Sequence, residues 1–208
     1  MSTSTCSFNQ IHGHDSIHAL EPCPTADKTI FGFWIYVMTD AIMFATLFAV
    51  YAVLHNNTFG GPGVQQVANL HHMLIQTLFL IFSAFTFGLC FSSFHRNKKV
   101  GTLFWLCISF VLGLIFLNIE FHDLSTLFSM GYTWQKSAFL SSYFALLGIH
   151  GIHIAVGLLW MFILFCQLIS QGFTSTIKNR FTCLGLFWNF LNLIWLLVFS
   201  IVFLMGAI

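Results

Sequence analysis

Long apolar stretches separated by short polar ones dominate this chain. Five segments carry almost no charged residue, and none shows the polar face of a helix that lies on the surface of a soluble protein. Each exceeds the ~18 apolar residues that indicate a membrane-spanning helix. The pattern predicts transmembrane helices at about residues 30–54, 73–94, 101–119, 138–169 and 182–206.

The same stretches argue against membrane-spanning strands. Strands of a membrane barrel alternate apolar and polar positions over about ten residues, whereas Leu103–Leu106 and Leu196–Phe199 are apolar at every position. A segment in lipid must also satisfy its own backbone hydrogen bonds, as a helix does. The predicted fold class is therefore all-α, an integral membrane bundle of five transmembrane helices.

Composition excludes several functional classes. Only 6% of the 208 residues are charged, against about 25% in soluble domains, and the formal net charge is +1. A soluble enzyme is excluded, because too few charged residues are present to cover a surface exposed to water. A nucleic-acid-binding protein is excluded, because the chain lacks the large positive net charge that attracts nucleic acid. Residues 1–29 are expected to form a polar, disordered, cytoplasmic arm, and residues 30–208 the membrane domain.

The basic residues predict the orientation of the bundle. Five crossings place the two termini on opposite faces of the membrane. Lys136 is the single basic residue expected on the C-terminal side. The other six fall on the N-terminal side: Lys28, Arg96, Lys98, Lys99, Lys178 and Arg180. Since Lys and Arg accumulate on the cytoplasmic side, the N-terminus is predicted to be cytoplasmic and the C-terminus periplasmic.

Three ionisable residues lie near the middle of predicted spans. Asp40 belongs to the first, while His150 and His153 belong to the fourth, where their spacing of three places them on one helical face. A charged group at the bilayer centre costs about 2.5–3.5 kcal/mol on insertion scales, so each requires a reason. At ~1.5 Å per residue, Asp40 and His153 reach similar depths. We therefore hypothesise a contact between the first and fourth helices.

Three interpretations of these residues remain open: a polar clamp that fixes helix packing, a proton relay, and haem ligation by the histidines. The remaining histidines lie in the arm, in loops or at the edges of spans. This distribution argues against a self-contained cytochrome.

Glu120, His122 and Asp123 cluster at the outer end of the third predicted span. A carboxylate at that depth can reach water, so we interpret the cluster as a solvated or lightly paired face.

A second histidine cluster, His12, His14 and His18, lies in the N-terminal arm. Histidines at this spacing can bind a transition metal. The polar composition of the arm instead favours a disordered tail.

The spans lack the features that transporters commonly show. No two spans resemble each other, and the three prolines lie outside all of them, whereas transporters often have paired repeats and broken helices. On these grounds an accessory subunit of a larger membrane complex is the preferred interpretation. A small multipass transporter remains an alternative.

Several segments also carry a family resemblance. Ile30–Asp40 resembles the first-helix signature of subunit III of the haem-copper terminal oxidases. Phe144–His153, which contains the specific motif His-Gly-x-His, and Gly157–Trp160 resemble its fourth-helix pattern. Leu186–Asn192, followed by Trp195, is similar to the last-helix pattern.

The resemblance implies a function. The five-helix form is similar to the third subunit of bacterial bo-type ubiquinol oxidases, whose complexes oxidise ubiquinol, reduce dioxygen to water and pump protons across the cytoplasmic membrane. It implies no catalytic, metal-binding or cofactor-binding residue in this chain, with haems and copper in subunit I. It also implies bound phospholipid, and partners that are mainly subunit I, with subunits II and IV, and no nucleic acid. Subunit III of a cytochrome c oxidase is the alternative.

The chain departs from the family pattern at three positions. Gln76, Asn189 and Asn192 stand where relatives tend to have ionisable residues. Amides can bond across helices but cannot carry a proton at neutral pH, which favours a structural role. The ionisable positions that match the family are Asp40, Glu120, His150 and His153.

Overall fold

The computed structural model describes residues 24–55, 70–96, 98–135, 137–172 and 174–206. These residues form five helices: α1 Pro24–Leu54, α2 Leu70–His95, α3 Lys99–Ser129, α4 Ala138–Gln171 and α5 Ser175–Gly206. Each helix contains a stretch long and apolar enough to cross a membrane. The five predicted helices are confirmed. The arm histidines His12, His14 and His18 lie outside the described residues.

The order of packing differs from the order along the chain. Consecutive helices from α2 to α5 pack against each other, and α2 also packs against α5. In contrast, α1 packs against α4 and α5. This arrangement places Asp40 of α1 next to His153 of α4, which comes more than 100 positions later in the sequence.

Small side chains bring α2 and α3 close together. The hydroxyl of Ser83 donates to the carbonyl of Ser109, and the hydroxyl of Ser109 donates to the carbonyl of Ser83, both at 3.0 Å. Further along, the Cys90 thiol donates to the carbonyl of Thr102 at 3.2 Å. Small residues with such bonds are typical of helix interfaces in membranes, where close packing replaces the hydrophobic effect.

The third helix is longer than its predicted span. It was expected to end near residue 119, but it continues to Ser129. Gly131, with a φ of 77°, then reverses the chain, and its N–H donates to the carbonyl of Phe128 at 2.9 Å. A left-handed glycine after the last turn is a common helix ending. The polar residues that follow Ile119 are therefore helical rather than part of the loop.

Apolar side chains cover both the inside and the outside of the bundle. Trp188 and Trp195 are fully buried at its centre, while many large apolar side chains, including those of Phe31 and Val100, are exposed. A helix bundle that is apolar on its outer surface is suited to lipid rather than water.

Candidate functional site

The two polar residues predicted to meet between the first and fourth helices do so. Oδ1 of Asp40 on α1 is 3.2 Å from Nε2 of His153 on α4, and Asp40 is buried. His153 Nδ1 lies 2.8 Å from the carbonyl oxygen of Ile149 and must donate to it. The contact between Oδ1 and Nε2 therefore requires a further proton between them. This pair links a side chain of α1 to a side chain of α4.

His150 lies on the same helix as His153 but has different polar partners. It is fully buried, and its Nε2 is 3.3 Å from the carbonyl oxygen of Leu191 on α5. Its ring centroid lies 5.1 Å from that of Trp195. Both histidines contact Phe44, at centroid distances of 6.5 and 5.4 Å. They thus share one apolar neighbour, as their spacing predicts, but their polar contacts diverge.

Glu120 is not solvated, and that prediction was wrong for this residue. It is 3% exposed, and neither of its carboxyl oxygens has a hydrogen-bond partner. Nδ1 of His150 lies 4.0 Å from Oε1, which is too long for a hydrogen bond. The burial follows from α3 continuing past Glu120 and turning this side chain toward Gly151 of α4, whose missing Cβ leaves space for the carboxyl group.

The other two members of the predicted outer cluster behave as expected. The His122 side chain is 77% exposed, and Asp123 is lightly paired. Asp123 accepts a hydrogen bond from Nε2 of Gln76 at 2.9 Å and lies 3.1 Å from Nδ1 of His72. Gln76, identified from the sequence as a departure from the family, therefore holds α2 against α3. The role of His72 was not predicted.

The two asparagines of α5 lie in different environments. Nδ2 of Asn192 donates to the carbonyl of Trp188 in its own helix at 2.7 Å, and its buried Oδ1 has no hydrogen-bond partner. Asn189 is exposed and lines a groove together with Trp34 and Gly88. The hydrogen bond of Asn192 therefore lies within α5.

The polar side chains described above can form hydrogen bonds between helices and can bind protons. In the part of the chain that the structure describes, no group of three or more His, Cys, Asp or Glu residues is placed to hold a metal ion. The intramembrane polar residues instead form a pair, Asp40 with His153, and a near pair, Glu120 with His150.

Replacement of His150 by Ala is expected to loosen the bundle. The change removes a ring packed against Trp195 and the hydrogen bond from Nε2 to the carbonyl of Leu191, a loss of about 1–3 kcal/mol. Thermal unfolding in mild detergent, followed by circular dichroism, measures this effect. His122→Ala is the matched control, because that side chain is mostly in solvent. Equal stability of the two variants would contradict a packing role for His150.

Comparison with known proteins identifies the family. The sequence model of the family described as cytochrome c oxidase subunit III matches residues 2–207. The cytochrome bo(3) ubiquinol oxidase subunit 3 of Pseudomonas aeruginosa is 42% identical over 196 residues, which cover 94% of this chain and 92% of that protein. The quinol oxidase subunit 3 of Bacillus subtilis is 32% identical over 195 residues, 94% of this chain and 96% of that protein.

A third relative agrees with these two. The cytochrome bo(3) ubiquinol oxidase subunit 3 of Pseudomonas putida is 42% identical over 184 residues, 88% of this chain and 89% of that protein. Because the family match includes all five helices and the buried polar residues described above, this chain belongs to the cytochrome c oxidase subunit III family.

Proposed function

We propose that this chain is the non-catalytic subunit III of a proton-pumping haem-copper ubiquinol oxidase in the bacterial cytoplasmic membrane. The complex oxidises ubiquinol and reduces dioxygen to water in aerobic electron transport, while this subunit stabilises its catalytic neighbour. The observation that carries the proposal is the 42% identity, over 94% of the chain, to a subunit 3 whose name specifies ubiquinol.

Purification from membranes in mild detergent tests this function. The chain should copurify with a haem- and copper-containing subunit, and the complex should consume oxygen with ubiquinol as the donor. Oxygen consumption with reduced cytochrome c and none with ubiquinol would favour the alternative, a cytochrome c oxidase. Ion or solute flux through the purified chain alone, reconstituted in vesicles, would favour a transporter.

The chain is proposed to contact mainly subunit I, with subunits II and IV in the same complex, and to lie with its N-terminus in the cytoplasm. The exposed apolar surface of the bundle supports partners within the membrane. Basic residues at one end of the bundle, including Arg96 between α2 and α3 and Lys178 in the first turn of α5, support the orientation.

A bound phospholipid is proposed at that basic end. A groove with a volume of about 290 Å³ lies between α1, α2 and α5, with Trp34, Phe91 and Thr182 among its lining residues. Lys28 precedes the lining residue Ile30 by two positions, and Lys178 precedes the lining residue Thr182 by about one turn. Apolar walls accept an acyl chain, and Lys near the membrane surface attracts an anionic headgroup.

The Asp40–His153 pair is proposed to act as a clamp rather than a proton relay. Exchange of Asp40 for Asn preserves its shape but removes the carboxylate that His153 faces. We expect severalfold less of this chain in the purified complex, because the α1–α4 contact is weakened. The proton-to-electron ratio of the complexes that do assemble should be unchanged.

Two measurements check this expectation: the subunit ratio on gels, and proton release by vesicles that contain the complex. Thr39→Val serves as the control, since Thr39 is an exposed residue of the same helix and its hydroxyl donates to the carbonyl of Tyr36 within α1. An intact Asp40→Asn complex with a reduced proton-to-electron ratio would establish the relay instead.

A further inference from the structure

A groove between α3 and α4 opens on the outer surface of the bundle. Its volume is about 390 Å³, within the range of about 300–1,000 Å³ that small-molecule sites commonly occupy. Phe121 and Ile152 stand at its mouth and are 75% and 64% exposed. Gly148 and Gly151 of α4 line it, so the groove exists because these two positions lack side chains.

The carboxyl group of Glu120 also lines this groove. An added Cβ at Gly151 would lie 3.4 Å from Oε2 of Glu120, which places the carboxyl group against the bare backbone of α4. Both carboxyl oxygens are buried and accept no hydrogen bond. Buried polar atoms in native proteins are nearly always paired, and leaving one unpaired costs free energy. His150 Nδ1 lies too far away, at 4.0 Å, to be that partner, whereas a hydrogen-bond donor that enters the groove would supply it.

The charges around the groove select among possible donors. No Lys, Arg or His belongs to the residues that line it, and Glu120 is its one ionisable group. A phosphate headgroup would therefore meet a carboxyl group with no cation to balance it. The groove between α1, α2 and α5 differs, because Lys28 and Lys178 lie near its end. A neutral headgroup that carries a hydroxyl group fits the α3–α4 groove. The Phe121 ring at the mouth of this groove suits an aromatic headgroup with an apolar tail.

We infer that the α3–α4 groove binds a quinol from the membrane pool, with Glu120 accepting a hydrogen bond from a quinol hydroxyl. The inference rests on the proposed function, since a ubiquinol oxidase works in a membrane that contains this molecule. The site involves no electron transfer in this chain.

Photolabelling of the purified complex tests the site. An azido-ubiquinone, reduced to the quinol, should label peptides from the outer half of α3 and the middle of α4. Gly148→Leu should reduce this labelling at least tenfold by filling the groove. A Cβ at Gly148 meets no atom of a neighbouring residue within 4 Å, so this variant should fold. Gly32→Leu is the matched control, because Gly32 is equally open but lies on α1.

Variants of Glu120 test the proposed hydrogen bond to the quinol separately from the volume of the groove. Glu120→Leu should reduce labelling severalfold, while Glu120→Gln should retain much of it, because the amide oxygen still accepts a hydrogen bond. Equal labelling of the wild type, Glu120→Leu and Gly148→Leu would overturn the proposal.

Other occupants give different results. Displacement of the label by added phosphatidylglycerol but not by ubiquinol would assign the groove to phospholipid. A crosslink from Phe121, replaced by a photoreactive phenylalanine analogue, to another subunit would show that a protein helix covers it. Either result overturns the quinol site. Normal ubiquinol turnover without labelling rejects only this site, whereas absence of ubiquinol turnover in the wild-type complex rejects the proposed function as well.

Discussion

Truncation of Trp195 to Ala is expected to destabilise the bundle by about 3–5 kcal/mol, the usual cost of removing a fully buried tryptophan. Its side chain contacts three other helices. Nε1 donates to the hydroxyl of Thr77 on α2 at 3.1 Å. The ring packs edge-to-face on Phe116 of α3 at a centroid distance of 4.8 Å, and it lies 5.1 Å from the ring of His150 on α4. A cavity at this position would remove the contacts that this side chain makes with α2, α3 and α4 at the same time.

Thermal unfolding in detergent, together with the yield of assembled complex, measures the loss. Trp195→Phe separates packing from hydrogen bonding: most of the ring volume remains, and about 1 kcal/mol should be lost with the bond to Thr77. Trp134→Ala is the control, since Trp134 is about half exposed. Similar melting temperatures for Trp195→Ala and Trp134→Ala would show that Trp195 does not organise the bundle.

The helices were predictable from the sequence, as was the start of α4 at Ala138, but the end of α3 was not. Hydropathy reports which side chains tolerate lipid, and it locates a span wherever apolar residues outnumber polar ones. It does not report where backbone hydrogen bonds stop. The third helix continues from Ile119 to Ser129 through polar residues, and the N–H groups of Gly131 and Tyr132 donate to its carbonyls at Phe128 and Leu127 where the chain reverses. The left-handed glycine was a better signal for that end than hydropathy.

The position of a residue along the helix axis could be predicted from the sequence, whereas the neighbouring helix that its side chain faces could not. The match in depth between Asp40 and His153 was sufficient to anticipate their contact, because two helices in one membrane share the same vertical scale. Glu120 was misjudged because its burial depends on which face of α3 meets α4 and on Gly151 opposite it. Neither is visible in the local sequence around Glu120.

The pairing at the outer end was missed for a related reason. Gln76 and His72 both contact Asp123, about 50 residues later in the chain. His72 lies just outside the predicted second span, which started at residue 73, so it was not treated as a residue within a helix. The only available signal was the presence of polar side chains at the matching ends of two helices joined by a short connection.

Enlargement of Gly113 is expected to separate α3 from α4 and α5. An added Cβ would lie 2.8 Å from Cδ2 of Leu158 and 3.0 Å from Cη2 of Trp188, distances at which atoms must move. Both neighbours are buried, so neither can move into solvent. Gly113→Ala should therefore cost about 1–3 kcal/mol, the usual cost of overpacking, even though Ala is the better helix former. Gly113→Leu should cost more and reduce assembly of the complex.

A double-mutant cycle assigns this cost to the contact rather than to the helix. Leu158→Ala removes the closest atom, so Gly113→Ala should be milder in that background, with a coupling of about 0.5–3 kcal/mol between the two positions. Gly88→Ala is the control, because a Cβ there meets no neighbouring atom within 4 Å, and this variant should be neutral or slightly more stable. If the effects of Gly113→Ala and Leu158→Ala simply add, the approach of Gly113 to Leu158 does not limit the packing of α3. The cost of Gly113→Ala would then come from its contact with Trp188.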